Sequence, residues 1–364
     1  MTPYPALPPS IPLTWQGKGR LALPVSELHE VARTLRRAVI QMVRRHGQGY
    51  VQQGLGAADL FAALYFHEAN IDPSDAEWAQ RDRCILSTAH NSALFHAALA
   101  LRGMIDPGLL DGYIQDGSPL EINVSERIGP VVEGTFGSLG QGVSVAAGIA
   151  LASRVRGRPW RVNVILGDGE LQEGQVWEAA MFAASQGLGN LCVILDMNWM
   201  QVEGHTDQVV CMDPVADKWR AFGWHVVEVD GHDLRALLTA FASARAQTAQ
   251  PTLVLATTVP GKGVSGLEGI LSHNAKLSAG AADVALQELE ISACTPSPSL
   301  PSPSAAPPRR PQPPLHPCPA TMARRCANWR ARTTPSSASL PTSRVPPKPT
   351  CFATLFPTAS SCPA

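Results

Sequence analysis

The chain has eight cysteines in 364 residues but no CxxC pair and no other metal-ligand spacing. Cys84 and Cys192 lie in apolar runs and Cys211 in a loop-like stretch, while Cys294, Cys318, Cys326, Cys351 and Cys362 fall in a Pro-rich tail. Isolated thiols are the expected reading, which argues against structural zinc and a disulfide framework. Surplus charge is missing too. The formal net charge is −1, so there is no electrostatic footprint for nucleic acid or an anionic membrane as partner. No apolar run approaches the roughly 20 residues that span a bilayer. Proline interrupts the first twenty residues where a secretory leader needs an apolar stretch. These absences lead to the expectation of a cytoplasmic protein.

What is present is core-forming material. Apolar residues make up 45% of the chain, and up to about residue 290 helical and strand patterns alternate. Apolar spacing predicts helices over 25–47, 56–72, 92–104, 140–157, 174–188 and 234–247. Short apolar runs predict strands over 83–88, 161–166, 190–197, 225–230 and 252–259. This alternation predicts an α/β fold, a parallel sheet with helices on both faces. A Pro-rich lead over 1–22 precedes that domain, expected to run over 23–290. Residues 291–364 are rich in Pro, Ser, Ala and Arg and lack periodicity. Such a composition does not offset a chain entropy of roughly 1–2 kcal/mol per residue, so the tail is expected to be disordered.

Two of the predicted strands end in oxygen-bearing side chains. One stops at Gly167-Asp168-Gly169-Glu170, the other at Asp196-Met197-Asn198. Ligands of open parallel sheets bind beyond the carboxyl ends of the strands. A carboxylate and an amide oxygen there, completed by water and phosphate oxygens, suit Mg²⁺. Gly167 and Gly169 let the backbone approach a phosphate closely, and the next helix aims its N-terminus at the same place. The pattern asks for a metal-bound diphosphate. An ordinary tight turn accounts for Gly-Asp-Gly alone, but not for Asn198 at the end of the following strand. A nicotinamide site is disfavoured, because GTFGSLGQG does not supply GxGxxG after a strand.

GDGE followed by Asn198 resembles the thiamine diphosphate signature, and the stretch from about 25 to 285 resembles the N-terminal, diphosphate-binding domain of transketolase. The likeness is carried also by WAQRDRCILSTAHNSALFHAAL (78–99), VEGTFGSLGQG (132–142), FGWHVVEVDGHD (222–233) and TTVPGKGVSGLEGILSHNAK (257–276). By position, it implies that Asp168, Asn198 and the carbonyl of Met200 hold Mg²⁺, with Gly167, Gly169 and Glu170 along the diphosphate of thiamine diphosphate. It places Gly137, Ser138 and Leu139 at the aminopyrimidine, and His90 and His273 near the diphosphate and the reacting centre. Glu173 and Glu178 match carboxylates that link paired active sites across a dimer interface, Glu173 thereby counting among the catalytic groups. The activity implied is ketol transfer between sugars or sugar phosphates.

The sequence departs from the family at two substrate-side histidines, which are Tyr50 and Asn123 here. Both can hydrogen-bond, yet neither shuttles protons near pH 7. The pyrimidine-binding domain, which carries the activating glutamate, has no counterpart after residue 290. It is expected in trans, in a homo- or hetero-oligomer, or lost by a frameshift. Residues 325–361, reread in a shifted frame with G/C-rich codons, resemble the opening of that domain. Alternative readings are another thiamine enzyme, of 2-oxoacid dehydrogenase or deoxyxylulose-phosphate synthase type, and a non-catalytic cofactor-binding protein.

Overall fold

The structure, a computed structural model, describes residues 17–158, 160–269 and 272–291. Five parallel strands form the sheet: β1 (Arg83–Leu86), β2 (Val162–Gly167), β3 (Leu191–Met197), β6 (His225–Asp230) and β7 (Thr252–Thr257). Their order is β1-β2-β3-β7-β6. β2 and β3 are buried along their whole length, as continuous apolar runs covered on both faces must be. β6, at an edge, alternates between half-buried and exposed positions near its end. A hairpin of two-residue strands, β4 (Met200–Gln201) and β5 (Gly204–His205), follows β3.

Helices α1 (Val25–Arg44), α2 (Val51–Ala63), α3 (Ser92–Leu101), α8 (Leu234–Ala246) and α9 (Ala279–Ile291) bury apolar residues in one core. Helices α4 (Gln141–Val155), α5 (Gly174–Ser185) and α7 (Val215–Ala221) cover the other face; the one-turn α6 (Thr206–Val209) follows the hairpin. The division follows from the strand order. The chain steps one way from β2 to β3 through α5 and the other way from β6 to β7 through α8. Right-handed crossovers then place α5 and α8 on opposite faces. The reversal leaves a crevice at the carboxyl ends of β3 and β7, the usual ligand position in such sheets.

The α/β expectation agrees with this architecture. The helix predicted from residue 56 begins earlier, at Val51, because Tyr50 turns the chain in the left-handed region (φ 55°) and Val51–Leu55 are buried at once. Helices α7 and α9 were not anticipated. Residues 17–22, read as the end of the Pro-rich lead, are tied to the domain: Gly19 N–H donates to the Ile71 carbonyl at 2.7 Å, and Arg102 donates to the Gly19 carbonyl at 3.0 Å. Residues 1–16 and the tail from 292 on lie outside the described residues, and with them the disorder and frameshift expectations. Among the described residues Cys84, Cys192 and Cys211 are free, and no helix is long and apolar enough to cross a membrane.

Candidate functional site

Register brings the two polar strand ends together. Gly167 pairs with Asp196, and Met197 with Thr257, so Asp168 emerges on one side of the end of β3, near Asn198, and Thr258 on the other side. Asp168 and Asn198 are buried, at 2% and 6% exposure. One carboxylate oxygen of Asp168 accepts from Gly169 N–H at 2.9 Å and the other from Trp199 N–H at 2.6 Å. Trp199 adopts φ 59°, which turns the chain into the hairpin carrying Met200. A Cβ on Gly169 would stand 2.8 Å from Gln201 Cβ and 3.7 Å from the Met200 carbonyl oxygen. The glycine is required, and the Met200 carbonyl lies against it.

This oxygen cluster is short of positive charge. Burial and the neighbouring Asp196 push the Asp168 carboxyl up to about 8, against two backbone donors that favour its ionised form. Asp196 is raised as well, by burial above all. The buried Asp168 carboxyl, with an amide oxygen and a backbone carbonyl near it, makes a donor set suited to a hard divalent cation, and the charge of Asp196 close by adds to the demand for one.

Glu170 stands differently from its expected place along the diphosphate. It is 1% exposed, and its carboxylate accepts from the Ser87 hydroxyl, from Gly140 N–H at 2.6 Å and from Gly167 N–H at 3.3 Å. A carboxylate aimed at a diphosphate would repel it; turned inward, this one ties the end of β2 to the Gly-rich loop. Gly140 caps α4 with φ 83°. A Cβ on Gly142 would run into the Ser87 side chain. In the same loop Gly137 and Ser138 are exposed, and Leu139 O accepts from Gln175 at 2.9 Å. Asn123 lies beside Gly137, its Nδ2 3.8 Å from where a Cβ would be.

A second cluster joins residues far apart in sequence. The rings of Tyr50, His90 and His273 meet with centroid separations of 5.6, 5.4 and 5.0 Å. Burial and then His273 lower the His90 pKa to about 3, and burial also lowers that of His273. Both imidazoles are therefore neutral near pH 7. His90 Nε2 lies 2.8 Å from the Thr88 hydroxyl, whereas Nδ1 of His273 is buried with no hydrogen-bond partner among the described residues. Gln53 donates to the His273 carbonyl at 2.9 Å and Gln52 to that of Leu267 at 3.1 Å, so α2 holds the loop that carries His273. Glu173 and Glu178, at the start and on the surface of α5, are exposed; Glu173 N–H donates to the Glu170 carbonyl at 3.1 Å.

Sequence reasoning met Asp196 only as part of a strand end, without a role, and passed over Ser87, Thr88, His232 and Thr258. All five stand at or just beyond the carboxyl end of a strand, the signal that had picked out Asp168.

Comparison with known proteins fits this arrangement. Residues 28–294 match the family described as transketolase, thiamine diphosphate binding domain. The chain belongs to the transketolase family. It is 40% identical over 265 residues to the 6-deoxy-6-sulfo-D-fructose transketolase subunit SqwG of Clostridium sp. (strain MSTE9), covering 72% of this chain and 96% of that one. It is 34% identical to an apulose-4-phosphate transketolase subunit of Actinobacillus succinogenes, over 74% of this chain and 98% of the relative. Among solved structures, Pichia stipitis transketolase with sedoheptulose 7-phosphate superposes with a TM-score of 0.69 at 31% identity, over 73% of this chain and 41% of that chain. The transketolase likeness thus extends along nearly the full length of the two subunits and two fifths of the Pichia protein.

Proposed function

We propose that this chain is the diphosphate-binding subunit of a split transketolase, which transfers a two-carbon ketol unit between sugars or sugar phosphates together with a pyrimidine-binding partner. The observation that carries the reading is the convergence of Asp168, Asn198 and the Met200 carbonyl at the ends of adjacent parallel strands. The relatives' description as subunits favours a separate partner.

The residues fit thiamine diphosphate and Mg²⁺. Asp168, Asn198 Oδ1 and Met200 O would hold the cation, and Gly169, lacking a Cβ, lets the hairpin that carries Met200 close against the end of β2. Gly137, Ser138 and Leu139 would border the aminopyrimidine, with Glu170 shaping their loop from behind. The cofactor when bound supplies a carbon nucleophile for a ketose carbonyl. His90 and His273, neutral at pH 7, serve as hydrogen-bonding groups rather than fixed cations. Tyr50 and Asn123 give the substrate side hydrogen-bonding groups in place of imidazoles. On α5, Glu178 shares the surface with exposed Met181 and Phe182, which supports a subunit interface there, with Glu173 close to it. A cytoplasmic setting completes the reading.

Isothermal titration of thiamine diphosphate, with and without Mg²⁺, tests the site. Wild type should bind in a Mg²⁺-dependent manner and Asp168→Ala should not, with both retaining the same circular dichroism. Equal binding by the variant would defeat the assignment. Ketol transfer is then sought by mixing the chain with a pyrimidine-binding subunit; activity with a 2-oxoacid but no ketose would point to another thiamine enzyme.

A further inference from the structure

A side-chain amide has two nearly isosteric ends, and its oxygen alone ligates a cation. The structure fixes which end Asn198 presents. Its Nδ2 donates to Asp196 Oδ2 at 3.1 Å, leaving Oδ1 beside Met200 N–H at 3.0 Å with lone-pair capacity to spare. Asp196 is in turn held by the Thr258 hydroxyl, which donates to its Oδ1. Thr258 N–H donates to the Met197 carbonyl at 3.0 Å, so the turn after β7 is locked to the end of β3.

That turn has a support of its own. Val259 N–H donates to His232 Nε2 at 2.9 Å. Nε2 must therefore be the acceptor, and the proton sits on Nδ1, which donates to Asp59 Oδ2 at 2.8 Å. Asp59 is paired with Arg36 of α1, and both are buried. A continuous polar path thus runs from α1 through α2 and the β6 end to the residue that orients Asn198.

We propose that Asp196, held by Thr258, is the positioning residue of the cation site, turning the Asn198 amide so that its oxygen faces the metal. This rests on the cation reading above. Partners of metal ligands commonly change affinity by roughly 10–100-fold when removed, and that is the effect expected here.

The test is a double-mutant cycle on the full chain, with Mn²⁺ as the probe in the presence of thiamine diphosphate and free Mn²⁺ read by electron paramagnetic resonance. Asp196→Asn should weaken Mn²⁺ binding roughly 10–100-fold where residue 198 is Asn. In the Asn198→Asp background, whose two carboxylate oxygens need no orienting, the same substitution should cause no loss. An equal loss in both backgrounds, or none in either, overturns the proposal. Thr258→Val, isosteric and uncharged, should weaken Mn²⁺ in the Asn198 protein alone, and it decides the matter if Asp196→Asn does not fold. Wild type that fails to take up Mn²⁺ with thiamine diphosphate overturns the cation reading and this inference together, whereas wild-type binding with a flat cycle overturns the inference alone.

Discussion

Asp59, buried between Arg36 and His232, shows how far one residue's charge can be set by its neighbours. Burial raises its pKa, but Arg36 first and then His232 bring it down from 3.8 to about 2. A folded value below the unfolded one means the contribution is fully present above about pH 4 and is lost as pH falls through about 2. The shift corresponds to about 2 kcal/mol. Asp59→Asn leaves a buried guanidinium without its counter-charge, so urea unfolding at pH 7 should show a loss of roughly 3–5 kcal/mol. The gap to wild type should narrow as the pH is lowered from 4 through 2, where the wild-type carboxylate takes up its proton. A gap that stays constant with pH would mean that the carboxylate acts through its shape.

At the scale of elements, the Gly-rich loop and the helix caps carry separable amounts of stability. Gly142→Ala puts a methyl group where Ser87 stands, displacing the hydroxyl that holds Glu170. Overpacking of this kind costs roughly 1–3 kcal/mol, to be read as a lowered thermal midpoint together with weaker thiamine diphosphate binding. Asp233 caps α8, accepting from Arg235 N–H at 2.9 Å and Ala236 N–H at 3.1 Å. Asp233→Ala should cost about 1 kcal/mol and leave cofactor binding untouched. The strands and most helices were legible in the sequence because a buried parallel strand is a plain apolar run and the longer helices repeat their apolar face. Asp168 and Asn198 were legible because they stop two such runs. The early start of α2 was hidden by VQQGLG, which reads as a loop until Tyr50 turns the chain and buries it. Asp196 and Thr258 escaped because their role is defined by register between β3 and β7, and strand order cannot be read from local pattern. Glu170 was misplaced for the same reason: its partners Ser87 and Gly140 come from other elements.

For the whole molecule the decisive feature is the exposed face of α4 and α5. Val145 and Val155 are exposed on α4 and Met181 and Phe182 on α5, the helix that also carries Glu178. Phe182→Lys should shift sedimentation towards smaller species in a mixture of this chain with a pyrimidine-binding subunit. The stability of the isolated chain should change by no more than about 0.5 kcal/mol, as at an ordinary surface position. Unchanged assembly would remove this face from the proposed interface.

The strand order also has a consequence for how the protein is made. β7, the last strand in sequence among the described residues, sits in the interior of the sheet between β3 and β6, and the residues that border the site run from Tyr50 to His273. The pocket is therefore complete only when β7 has taken its place between β3 and β6, a pairing of segments distant in sequence. A ligand that meets its site so late cannot help to assemble it. Mg²⁺ with thiamine diphosphate should slow unfolding in stopped-flow denaturant jumps while leaving the refolding arm where it was. For a nascent chain, the cofactor would act as a latch closed behind folding and not as a template for it.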